Sequence, residues 1–85
     1  MSDRAVRPEV DIAAWTGWIA HVCAAVDIDP GRMDVAAIHA LTGTVAAEFT
    51  RPMAPVAAHI WALAQGANPD ADPAALRDAI LAALP

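Results

Sequence analysis

The stretch Asp34-Val35-Ala36-Ala37-Ile38-His39-Ala40-Leu41-Thr42-Gly43-Thr44-Val45-Ala46-Ala47-Glu48-Phe49-Thr50-Arg51-Pro52-Met53-Ala54-Pro55 decides the fold class. A short carboxylate at Asp34 can accept bonds from the free N–H groups of a first helical turn, which marks a helix start. Val35, Ile38, Leu41, Thr42, Val45 and Phe49 then recur at three- and four-residue intervals, the spacing of one helical face. The pattern predicts a helix to about residue 50. Pro52 and Pro55 break any continuation, since each lacks an N–H and crowds the preceding turn, yet proline also suits the first turn of a new helix. The chain is expected to bend at Arg51–Pro55 and restart.

Downstream, a third helix is predicted over about Ala54 to Gln65. Its interior carries no formal charge, and only His59 and Gln65 are polar. A helix apolar on all sides is expected at the centre, with Gly66 as its stop. Asn68 to Pro73 reads as a loop whose Asp72-Pro73 pair supplies the cap and first residue of a fourth helix. Leu76, Ile80, Ala83 and Leu84 are its expected buried face, with Arg77 and Asp78 in water. Upstream, Asp11 is the expected cap of helix one. Ile12, Trp15, Ile19, Val22 and Val26 form its stripe, widened by Trp18 and Cys23. It should stop near Asp27, because Asp29-Pro30-Gly31 is turn chemistry. No alternating β pattern occurs. The expected fold is all-α: a compact bundle of four short helices, bent at the Arg51–Pro55 junction, over residues 11–85, with residues 1–10 as a flexible arm.

A chain of 85 residues has room for one domain, of a size that buries only about 60–65% of its extended surface. Its hydrophobic fraction of 58% exceeds what so small a core can hide. Apolar runs never reach the ~20 residues of a membrane span, and the N-terminus lacks a secretory pattern, so a cytoplasmic protein with no membrane partner is expected. Net charge is −5 and lysine is absent, which leaves no basic stripe for a phosphate backbone and argues against nucleic acid. Between Asp11 and Asp27, and between Asp34 and Glu48, there is no formal charge, and the helix backs are Ala, Gly, Thr and His. Such backs admit another helix at little desolvation cost, so a protein partner is expected, either a second copy or a larger protein.

Candidate chemistry is sparse. His21, His39, His59 and Cys23 are the soft ligands, but a structural zinc needs four, usually in close pairs; no metal and no cofactor is expected. Cys23 falls inside an apolar helix rather than at a helix start where its thiol would be activated, and nearly every Asp has a cap or turn role. No catalytic residue is assigned. Arg51 is singled out because a guanidinium at the end of helix two can bond the last carbonyls there. Alternatively it could join the N–H groups at the start of helix three to hold an anion or a small ligand. Trp15 is expected in the core. Trp18 lies at the stripe's edge, and Trp61 lies off the Val56, Ile60, Leu63 face, so one of the two is expected as a partly exposed interface anchor.

The run Ile28-Asp29-Pro30 to Val35, then Arg51-Pro52-Met53-Ala54-Pro55-Val56, then Ala64-Gln65-Gly66, resembles a small helical family of unknown function found in actinobacteria. The resemblance spans about residues 11–84. It is most specific at Arg51, Pro52, Ala54 and Pro55. Domains of that family occur alone or attached to nucleotidyltransferases similar to the molybdenum cofactor guanylyltransferase, which joins a guanosine nucleotide to molybdopterin. The resemblance implies a non-catalytic accessory domain associated with molybdenum cofactor biosynthesis, with a nucleotidyltransferase as partner. A self-contained homodimer with no cofactor link is the alternative. The family often carries an Asp and a His one turn apart before the Arg-Pro block, where this chain has Thr44 and Ala47.

Overall fold

The computed structural model describes the backbone over residues 8–85 and side chains from Ala14 onward. The chain is all-α, with helices α1 (Pro8–Ala25), α2 (Val35–Glu48), α3 (Ala54–Ala67) and α4 (Pro73–Ala82), and no strand among the described residues. Single-turn 3₁₀ segments at Pro30–Arg32 and Arg51–Met53 follow α1 and α2. The elements fall into two compact units, divided between Met33 and Asp34.

In the first unit, α1 begins at Pro8, three residues before the expected cap at Asp11. A proline with its fixed φ fits the opening turn and lets the helix start earlier. Of the arm expected over residues 1–10, residues 1–7 lie outside the described residues. The helix ends in a Schellman motif, in which Ile28 N–H donates to the Cys23 carbonyl at 2.8 Å and Asp27 N–H to that of Ala24 at 3.4 Å. Asp27 adopts φ 60°, a left-handed position usually held by glycine. Asp29 then accepts from Gly31 N–H at 2.9 Å and caps the 3₁₀ turn.

The second unit follows its sequence signals closely. Asp34 Oδ1 accepts from Ala37 N–H at 3.0 Å, and Asp72 Oδ1 from Ala74 N–H at 3.2 Å, so both expected caps are formed. Helix α3 runs through Gly66 rather than stopping there. Its end is set by Asn68, whose backbone N–H (2.9 Å) and side-chain Nδ2 (2.8 Å) both donate to the Ala64 carbonyl. Leu41, Val45, Ala57 and Trp61 form the core, with Ala37, Ile38, Leu76, Ile80, Leu81 and Leu84 packed around it. Each fully buried large side chain among these contributes about 1.5–3 kcal/mol. On α4, Leu81 rather than Ala83 completes the inward face. Arg77 and Asp78 pair with each other at 3.1 Å near the surface.

Helix α3 departs from expectation in the face it buries. Ala54, Ala57 and Trp61 point inward, whereas Val56, Ile60 and Leu63 are 44%, 47% and 59% exposed. Both stripes obey helical spacing. The Ala54/Ala57 stripe lets α2 approach closely and leaves room for one large ring, which the broader Val56/Ile60/Leu63 stripe would not.

Candidate functional site

Of the two tryptophans weighed as a partly exposed anchor, Trp61 is the buried one and Trp18 the exposed one. Trp61 is 5% exposed, and its indole Nε1 donates to the Pro73 carbonyl at 2.9 Å. A buried indole needs such an acceptor, and here it joins α3 to the first residue of α4. Trp61 is therefore a core residue and not an interface anchor.

Arg51 is exposed in the turn after α2. It donates to none of the last carbonyls of α2 among the described residues. The anion cradle is also depleted: Pro52 and Pro55 have no N–H, Met53 N–H is bonded to the Thr50 carbonyl at 3.2 Å, and Ala54 N–H to that of Arg51. Among the described residues no three His, Cys, Asp or Glu side chains cluster as a metal would require. Thr44 bonds back to the Ala40 carbonyl at 3.0 Å.

Two apolar surfaces remain. The first belongs to α1 and the turn after it. Trp18 is 67% exposed at the edge of a groove of about 280 Å³ that it lines together with Ile19, Val22, Cys23, Ile28 and Met33. The Schellman turn builds this groove by folding Ile28 back toward Cys23, the apolar contact that commonly accompanies that motif. Cys23 is a buried free thiol at its floor. Trp15, expected in the core, is half-buried. Ile28 and Met33 carried no periodic signal, since both lie outside helices; an apolar residue just past Asp27 was the available clue.

The second surface lies within the other unit, where α2, the Arg51–Met53 turn, α3 and α4 meet. Phe49, Met53, Val56 and Ile60 line a groove of about 140 Å³ floored by Val45 and Ala57. Phe49, expected on the core face of helix two, is half exposed because α2 ends at Glu48 and Phe49 leaves the helical conformation at φ −129°. No polar side chain lines either groove. Apolar concavities of this kind accept apolar side chains and offer no group to bind a charged metabolite.

A family profile matches residues 11–84. The chain belongs to the family of a domain of unknown function (DUF6457). The match spans α2, α3, α4 and all but the first three residues of α1, so it includes both grooves. No curated protein and no solved structure matches the chain. Among the described residues, no helix is long and apolar enough to cross a membrane.

Proposed function

We propose that this chain is a non-catalytic, cytoplasmic protein-interaction domain, and that its partner is a nucleotidyltransferase of the molybdenum cofactor guanylyltransferase kind. The observation that carries the interaction reading is Trp18. A tryptophan two-thirds exposed beside an all-apolar groove is costly to leave in water and has the composition of an interface hot spot. Ala14, Ala20, Ala24 and Ala25 on the same helix are exposed and uncharged, so a partner helix can approach without stripping water from a charge. The nature of the partner rests on the resemblance at Arg51, Pro52, Ala54 and Pro55, which implies a domain found alone or attached to such enzymes.

The test is binding of the full chain to the transferase from the same organism, by calorimetry and size-exclusion chromatography with light scattering. A joint species is expected, weakened at least about 30-fold by Trp18→Ala, the loss typical of a hot-spot tryptophan. Glu substitutions at Ala14 or Ala25 should also disrupt it while leaving helicity intact. Absence of a joint species at high micromolar concentrations overturns the transferase as partner, and full binding by Trp18→Ala removes the groove from the interface.

A further inference from the structure

We infer that Met33 is an oxidation site, and that conversion of its thioether to a sulfoxide by a peroxide turns the Trp18 groove from an apolar surface into a polar one. The groove is lined by two sulfur-bearing side chains, and burial separates them. Cys23 is 6% exposed and lies inside α1, so its thiol is shielded, while Met33 is 38% exposed. An oxidant arriving from water therefore meets the thioether before the thiol. Met33 also stands where the fold can bear the change. It follows the 3₁₀ turn at Pro30–Arg32 in extended conformation, with its N–H donating to the Pro30 carbonyl at 3.1 Å. It lies outside every helix and is not among the buried residues, so a larger, more polar side chain there displaces no core contact.

The consequence falls on the groove. With hydrogen peroxide, the sulfur gives an electron pair to one peroxide oxygen; the O–O bond breaks, an S–O bond forms, and water leaves. Sulfur loses two electrons and the peroxide gains them. The product replaces a flexible apolar side chain with a polar one carrying a strong hydrogen-bond acceptor. Trp18, Ile19, Val22, Val26 and Ile28 supply an apolar lining around it. An apolar surface laid over the groove then buries the sulfoxide oxygen without a donor, which penalises the contact that the thioether accepts.

The inference rests on the Trp18 groove as a contact surface, but its test needs no transferase, so the two readings fail separately. Met53 lines the other groove and is 37% exposed, so the full chain carries Met53→Leu to leave Met33 as the exposed methionine among the described residues. The chain is treated with millimolar hydrogen peroxide, and peptide mass spectrometry with thiol titration in denaturant follows Met33 and Cys23. Met33 is expected to gain one oxygen before Cys23 is modified, with helicity unchanged by circular dichroism. Binding of the uncharged apolar dye Nile red, read by fluorescence, should weaken about tenfold on oxidation, the scale of one polar group buried unpaired. Methionine sulfoxide reductase should restore binding, Met33→Leu should make it insensitive to peroxide, and Met33→Gln should weaken it without peroxide. Oxidation of Cys23 ahead of Met33 overturns the inference, as does dye binding that is equal for the thioether, the sulfoxide and Met33→Gln.

Discussion

The indole nitrogen of Trp61 donates to the backbone carbonyl of Pro73, twelve residues away, at 2.9 Å. One side chain thus fills the core of the second unit and holds the start of α4 against α3. Trp61→Phe keeps most of the apolar volume but leaves that carbonyl without its donor, and should cost about 1–2 kcal/mol. Trp61→Ala adds a cavity, with an expected loss of about 3–5 kcal/mol, a large share of what a domain of this size possesses. Urea denaturation followed by far-ultraviolet circular dichroism measures both. Equal losses for the two variants would show that the hydrogen bond, rather than the ring's volume, dominates.

Gly43 lies in the middle of α2 on its exposed face, and a Cβ built there meets nothing within 4 Å. Glycine inside a helix costs about 0.8–1 kcal/mol relative to alanine. Gly43→Ala is therefore expected to raise the melting temperature by roughly 4–8 °C, the scale for a change of ~1 kcal/mol in a chain of this length. Gly17, equally open in α1, should behave alike in its own unit. A fall in melting temperature would mean that Gly43 answers a contact outside the chain.

Asp27 terminates α1 at φ 60°. A β-branched residue is strained there, so Asp27→Val should cost about 1–2 kcal/mol, while Asp27→Gly should be neutral or stabilising. The local reporter is the Ile28 amide, which donates back to Cys23. Its hydrogen-exchange protection should fall in the valine variant and hold or rise in the glycine variant. Since Ile28 lines the Trp18 groove, the valine variant should also bind the proposed partner less tightly.

Where a single side chain enforces a backbone choice, its consequence was legible in the sequence. Asp34 and Asp72 cap because a short carboxylate reaches the free N–H groups of a first turn. Pro52 and Pro55 end one helix and open the next because they lack a donor and fix φ. The end of α3 was misplaced, since Gly66 permits a stop but does not demand one. Asn68, with backbone and side-chain donors both on the Ala64 carbonyl, supplies the more complete termination. Which of Trp18 and Trp61 is buried is not legible in the sequence, for a different reason. Helix α3 has no charged face to exclude from the core, so periodicity admits the Ala54/Ala57/Trp61 stripe and the Val56/Ile60/Leu63 stripe equally.

The candidate surfaces were legible as a surplus of apolar residues without a location. Trp18 and the uncharged helix backs were visible in the sequence; the grooves beside Trp18 and Phe49 were not, because Ile28, Met33 and Met53 reach them from turns.

By itself the sequence determined that this chain is helical, where its helices break, and that it holds more apolar surface than so small a domain can cover. Those properties follow from local backbone chemistry and composition, which act within a few residues. The tertiary structure alone decided which stripe of α3 turns inward, because that depends on how closely α2 approaches and on an acceptor at Pro73 for one indole nitrogen. With Trp61 inside, Val56, Ile60 and Leu63 are left in water, and that exchange gives the second unit its exposed apolar face.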